Sequence, residues 1–308
     1  MVNEPVFVAP DVAIVLRRPA RSAWILSDYW ALTKPEVNFL IVITTAAGFY
    51  LSWPGERSSL PWILLLHTLV GTVLAASGAA ALNQWMEHPF DARMRRTAGR
   101  AVAAGRIEPS HALAFGAGLS LSGLVHLAFS AGALAASLAA LTLASYLLLY
   151  TPLKRRTPWC TAIGAVPGAI PPLIGAAAAC GGLDAGAWIL FTIVFLWQFP
   201  HVMAIAWMYR DDYDRAGFAV LPRRAARSRF VAWTTLVALL ALLPVSLFPF
   251  LTNSSVSYLL FAAALGGWFL YTGTQFVRRQ SAPAARQLLM VSIVYLPALL
   301  VLLIVFTA

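Results

Sequence analysis

The chain of 308 residues is 60% hydrophobic and only 11% charged, with a mean hydropathy of +0.76. That balance excludes an ordinary soluble domain and points to a polytopic membrane protein. The net charge of +10 does not argue for nucleic acid, because the basic residues sit in short segments between apolar runs and read as topology signals.

In chain order, residues 1–28 lack an apolar core followed by a small-residue cleavage site, so no secretory signal peptide is expected. Residues 1–30 read as a flexible cytoplasmic tail. Beyond it, nine apolar runs each suit one helical crossing of the hydrocarbon core. They fall at about 37–53, 62–82, 110–129, 132–150, 160–180, 187–207, 230–250, 256–276 and 288–307. The fold class is therefore all-α. With nine spans, 21 of the 22 Lys and Arg residues face the amino-terminal side and only Arg57 falls opposite. The positive-inside rule then places the amino terminus in the cytoplasm and the carboxyl terminus outside. Cys160 and Cys180 lie in one apolar segment and give neither a disulfide framework nor zinc spacing; they read as packing residues.

Where the second run ends, Asn83, Glu87 and Asp91 follow one another at intervals of four. On a helix that spacing holds all three oxygen-bearing side chains within roughly an 80° arc. Two carboxylates and an amide in register are a plan for a metal. Arg93, Arg95, Arg96 and Arg100 follow at once, and guanidinium forks match phosphate oxygens, so the expected ligand is a phosphate-bearing molecule sharing Mg²⁺ with the acids. Pro89 lies between the acids and is expected to kink or loosen the helix; His88 points off this face and reads as an interfacial polar residue.

Three further segments carry chemistry. In YTPLKRRTPW, Tyr150 and Lys154 offer a phenol and an ammonium to one anionic group, although a positive-inside turn explains the charge equally well. In FLWQFPHVMAIAWMYRDDYDRAG, His201 lies deep in an apolar run, where an ionisable group normally faces a cavity or a helix interface. The Asp211, Asp212 and Asp214 cluster at the end of the same span could hold a second Mg²⁺, or the same one from the opposite wall. GAVPGAIPPLIG, residues 164–175, has Gly and Pro dense enough for close helix approach or for shaping a cavity. Trp85, Trp197 and Trp207 read as interfacial anchors or as cavity lining. His67, His111 and His126 are isolated in the sequence and receive no role.

Taken together, the Asn-x-x-x-acid-x-x-x-Asp motif, YTPLKRRTPWCTAIGAVPGAIPPLIG, and WQFPH followed by DDYDRAG and LP resemble the UbiA superfamily of intramembrane prenyltransferases. The likeness runs from about Leu32 to Pro222, and the middle string points to the branch that prenylates heme. The resemblance implies a UbiA-type nine-helix bundle over residues 31–308 with a cytoplasm-facing site, in the inner membrane. It implies transfer of a farnesyl group from farnesyl diphosphate to a vinyl group of protoheme IX with addition of water. The family's first acidic motif falls on Asn83, Glu87 and Asp91 and its Tyr-x-x-x-Lys motif on Tyr150 and Lys154, and Asp211, Asp212 and Asp214 are the candidates for its second acidic motif; the expected catalytic residues are therefore Asn83, Glu87, Asp91, Tyr150, Lys154, Asp211 and Asp212, and the expected metal ligands Asn83, Glu87, Asp91, Asp211 and Asp212. Arg93, Arg96, Arg100 and Lys154 would bind diphosphate, and His201 would touch the heme. Mg²⁺ is the implied cofactor and heme a substrate; membrane lipid, heme A synthase and oxidase assembly proteins are the implied partners, with no nucleic acid. Two departures stand out: Glu87 replaces the family's usual Asp, and the second acidic cluster lacks Asp-x-x-x-Asp spacing. The competing expectations are a prenyltransferase acting on an aromatic quinone precursor, a secondary transporter, and a non-catalytic scaffold.

Overall fold

The computed structural model describes residues 23–222, 224–249 and 255–306. Arg17, Arg18, Arg21 and Arg223, most of the expected tail, and the last residues of the seventh and ninth expected spans lie outside them. The described elements are all helical. We number them α1 Ala23–Leu32, α2 Pro35–Ser52, α3 Trp62–Asp91, α4 Pro109–Ser130, α5 Ala133–Leu153, α6 Cys160–Ala169, α7 Pro171–Cys180, α8 Ala185–Met208, α9 Arg210–Ala216, α10 Arg224–Leu247, α11 Val256–Arg279 and α12 Ala282–Phe306. Counting α6 and α7 as one broken span, nine crossings are long and apolar enough to span a membrane among the described residues. The protein is thus a multi-pass membrane protein.

The apolar runs locate the spans to within a few residues, except that α3 outruns its expectation. It is 30 residues long, about 45 Å at 1.5 Å per residue, against a hydrocarbon core of about 30 Å. Its last turns carry Asn83, Glu87 and Asp91 beyond the apolar run, so the motif is helical where a polar loop would otherwise begin. The helix also continues through Pro89. Proline has no N–H to give the carbonyl four residues earlier, that of Trp85. The His88 ring supplies the missing donor: its Nδ1 lies 2.7 Å from the Trp85 carbonyl oxygen, which fixes the Nδ1–H tautomer there. His88 is therefore a structural patch for Pro89.

Close helix packing rests on small residues, as membrane interfaces require. A Cβ at Gly123 on α4 would collide with the Ala75 backbone on α3, and one at Gly175 on α7 with the Thr45 carbonyl on α2. The Gly/Pro-rich segment breaks at Ile170, where Pro171 and Pro172 start α7, whose residues Pro171–Ala179 are buried. Cys160 is buried as expected of a packing residue, whereas Cys180 is exposed at the end of α7.

Candidate functional site

The end of the bundle carrying Asp91 gathers the charged residues. Asn83, Glu87 and Asp91 are all buried, at 1%, 5% and 1% exposure, which no solvated charged face would be. Their shared direction follows from the four-residue spacing on an unbroken α3. A buried charge needs a partner, and two of the three have cations. Lys154 Nζ spans both Glu87 oxygens at 2.6 and 2.7 Å. Arg100 Nη1 reaches Asp91 Oδ2 at 2.7 Å, while Asp91 Oδ1 is buried without a hydrogen-bond partner.

Facing α3, the end of α5 departs from α-helical geometry. Ser145–Tyr150 forms a π-helical segment, so the Thr151 amide bonds Tyr146 five residues back, and the Thr151 hydroxyl donates to the same carbonyl at 2.9 Å. Single π turns in helices are rare and concentrate at functional sites. Beyond this segment Thr151 and Lys154 reach α3, at Asn83 and Glu87. Asn83 Nδ2 donates to Thr151 Oγ1 at 3.2 Å. The Lys154 ammonium lies 4.8 Å from the Tyr150 ring centroid and 5.7 Å from that of Phe218, so Tyr150 presents its aromatic face to the cation. Gly164 leaves room for that ring, because a Cβ there would press on Tyr150 Cδ2 and Cε2. The Lys154 carbonyl accepts the Ala219 amide at 2.6 Å, tying α5 to the segment after α9.

Lys34, which the sequence offers only as a topology charge, belongs to this cluster. Its Nζ lies 3.3 Å from Asn83 Oδ1. The backbone there is left-handed, φ 50° and ψ 64°, an uncommon conformation for a residue with a Cβ. Pro35 begins α2 immediately after it, Asn38 Nδ2 clamps the preceding turn through the Thr33 carbonyl and Ser77 Oγ, and Gln84 Nε2 holds the Leu32 carbonyl. The turn is thus over-determined and aims Lys34 inward. Burial, with Arg100 and Lys154 nearby, pushes the Lys34 ammonium down to about 7 despite Glu87 and Asp91. Lys154 moves the other way: burial is the largest single influence and opposes its charge, but the Glu87 carboxylate, by charge and by hydrogen bond, together with Tyr146 and Tyr213, holds the ammonium above its ordinary value.

The second acidic segment lies against the arginine run that follows α3. Asp212 is buried, accepts the Arg96 backbone amide at 3.2 Å and pairs with Arg215. Asp214 pairs with Arg227 at 2.7 Å, and Asp211 is exposed. Arg95, Arg96, Met208, Tyr209, Asp211, Asp212 and Arg215 line a cavity of about 500 Å³. The Arg96 guanidinium lies over the Tyr209 ring, 5.0 Å from its centroid. The Arg93 and Arg155 guanidinium groups lie against Phe90, with Arg155 at 4.8 Å.

His201 stands apart from these charges. It stacks on Trp197 with centroids 4.7 Å apart, and its Nδ1 is 2.8 Å from Ser292 Oγ on α12. Trp197 is buried and gives its Nε1–H to the Ser292 carbonyl at 2.7 Å, so it braces α8 against α12. Trp207 packs edge-on to Phe276 beneath the Arg210 guanidinium, and Trp85 packs with Leu32 and Ala81.

The residues fit Mg²⁺ of the kind that shares substrate oxygens. No group of three or more His, Cys, Asp or Glu side chains converges on one point among the described residues. Mg²⁺ needs only one or two carboxylates when phosphate and water complete its octahedron. The unpartnered Asp91 Oδ1, in register with Glu87 and Asn83, offers such a donor set.

Comparison with known proteins gives the family and the fold. Residues 41–303 match the UbiA prenyltransferase family. A protoheme IX farnesyltransferase from Solibacter usitatus is 48% identical over 279 residues, covering 88% of this chain and 96% of that one. One from Opitutus terrae is 43% identical over 278 residues, covering 89% and 92%. Among solved structures, a digeranylgeranylglyceryl phosphate synthase superposes with a TM-score of 0.72 at 18% identity, over 91% of this chain and 98% of that one. A UbiA homolog from Archaeoglobus fulgidus bound to GPP and Mg²⁺ gives 0.62 at 10% identity, over 90% and 99%.

Proposed function

The chain belongs to the UbiA prenyltransferase family, and on that premise we propose that it transfers a farnesyl group from farnesyl diphosphate to a vinyl group of protoheme IX, with addition of water, giving heme O and diphosphate. The observation that carries the site assignment is the cluster at one end of α2, α3 and α5 in which the buried Asn83, Glu87 and Asp91 meet the half-buried Lys34, Arg100 and Lys154. It combines metal-type oxygen donors with cations of the kind that hold phosphate. In the proposed arrangement residues 31–308 form the catalytic domain, the amino terminus is cytoplasmic, and the membrane is the inner membrane.

The reaction breaks the C1–O bond of the farnesyl diphosphate, and the bonding electrons leave with the diphosphate. Lys154, Lys34 and Arg100 would bind that leaving group and stabilise its growing charge, which in a water-poor site is the largest available catalytic term. Mg²⁺ held by Asn83, Glu87 and Asp91, with Asp211 and Asp212 of the second acidic segment, would supply Lewis-acid stabilisation of the same oxygens. The Tyr150 face steadies the Lys154 ammonium by cation–π attraction. Arg93 and Arg96, both exposed, would draw the diphosphate in. The vinyl carbon then bonds to C1 of the allylic cation, and the cation left beside the porphyrin takes up water and loses a proton. His201, backed by Ser292 and Trp197, is the proposed heme contact.

The test is extraction of heme from cells expressing wild type, Glu87→Gln or Asp91→Asn. Wild type accumulates heme O and both variants lose it; heme O at wild-type level in both would sink the assignment.

A further inference from the structure

We infer that His67 and His126 form a two-histidine chelate for an imidazole-binding divalent transition-metal ion of the Zn²⁺ class, remote from the prenyl-transfer site. His67 lies five residues into α3 and His126 five residues before the α4 C-cap Ala131, so antiparallel packing brings both to the same end of the bundle. Along α3, His67 is 16 residues from Asn83, about 24 Å of helix, at the end away from the acidic cluster.

The geometry suits a metal. His67 Nδ1 and His126 Nε2 face each other at 3.2 Å, with ring centroids 5.1 Å apart. Two nitrogens at the usual Zn–N length of about 2.05 Å with a tetrahedral angle stand roughly 3.3 Å apart. The observed separation therefore already matches the bite of one ion. The helices hold it there: a Cβ at Gly71, one turn along from His67, would touch His126 Cδ2 and Leu127, so glycine permits the approach. His67 is exposed and His126 half-buried, which gives an ion access from the headgroup level.

Binding needs no net proton release. Each neutral imidazole carries one N–H and one lone pair, and in the hydrogen-bonded pair one ring directs its N–H at the other. When that ring moves its proton to its outward nitrogen, both facing nitrogens present lone pairs. No third His, Cys, Asp or Glu joins the pair among the described residues, so water completes the coordination. Imidazole ligands with borderline ions such as Zn²⁺ are the favoured match. Bound metal would staple α3 to α4 at this end.

The test uses tag-free full-length protein in detergent, with ZnCl₂ as probe and thermal unfolding as readout. Wild type should gain a saturable rise in Tm with Zn²⁺ that reverses on chelation. His67→Gln and His126→Gln, which keep polar hydrogen-bonding side chains, should each lose it. Co²⁺ provides a second readout independent of stability: visible d–d absorption of a nitrogen-ligated ion should appear in wild type and in Asp91→Asn, and vanish in the two histidine variants. No Zn²⁺-dependent shift in wild type, or an equal shift and spectrum in the histidine variants, overturns the proposal. Farnesyl transfer by the histidine variants, assayed with Mg²⁺ and without added Zn²⁺ or Co²⁺, should equal wild type; a loss there would place the pair in the catalytic fold instead.

Discussion

Two lysines of the charge cluster differ in what they leave behind when removed, and that difference tests the role of the cluster. Lys154→Met deletes the cation that spans both oxygens of Glu87, itself only 5% exposed. Breaking a buried pair by removing one partner costs roughly 3–5 kcal/mol, because the remaining charge is uncompensated. Lys34→Met removes an ammonium whose contact is the neutral Asn83 amide oxygen, and Asn83 keeps its bond to Thr151. No charge is stranded, so stability should change by less than about 1 kcal/mol, the net worth of an ordinary hydrogen bond. If both ammonium groups stabilise the leaving diphosphate, each loss should lower kcat/KM by about 10²–10³, the usual effect of deleting one preorganised electrostatic donor. The assays are farnesyl transfer by the purified protein and chemical denaturation in detergent. Adding Glu87→Gln to Lys154→Met should restore most of the stability and none of the activity. Full activity in Lys34→Met, or a stability loss matching that of Lys154→Met, would refute the reasoning.

Two other perturbations follow from local geometry. His88→Phe should destabilise the protein by about 1 kcal/mol, since the Trp85 carbonyl loses the donor that replaces the absent Pro89 amide; Pro89→Ala in the same chain restores an amide and should recover the loss in thermal unfolding. Gly164→Ala should displace the Tyr150 ring on which the Lys154 ammonium rests, reducing turnover at least tenfold with little change in Tm; unaltered turnover would remove Tyr150 from the machinery.

The spans were legible because lipid contact demands apolar runs of a set length, and α2 to α8 and α10 to α12 follow those runs. The α3 ending was not, because hydropathy reports where lipid stops and not where a helix stops: from Asn83 onward the helix persists on buried polar contacts. Asn83, Glu87 and Asp91 could be placed on one face from spacing alone. Their cations could not, since Lys154 reaches Glu87 from 67 residues away and Arg100 folds back on Asp91 through an irregular turn. Lys34 was the least visible member. Its inward aim depends on a left-handed turn clamped by Asn38 and Gln84, and no periodicity encodes that clamp. The isolated sequence positions of His67 and His126 likewise hide a contact made by helix packing.

The pairing pattern constrains how ligands enter. Glu87, Asp91, Asp212 and Asp214 each already hold a cation, respectively Lys154, Arg100, Arg215 and Arg227. In the proposed site a diphosphate arriving alone would take cations away from the buried carboxylates of Glu87, Asp91 and Asp212, and Mg²⁺ alone would take those carboxylates away from Lys154, Arg100 and Arg215. Either exchange strands charge in a medium where stranded charge costs several kcal/mol. Arriving together, the metal satisfies the acids while the phosphate oxygens satisfy the lysines and arginines, so each internal pair is replaced by two external ones. On the proposed function the internal ion pairs would act as placeholders: they would balance charge in the cluster before ligands arrive, and would couple metal and diphosphate binding through the charges that each would otherwise leave unpaired.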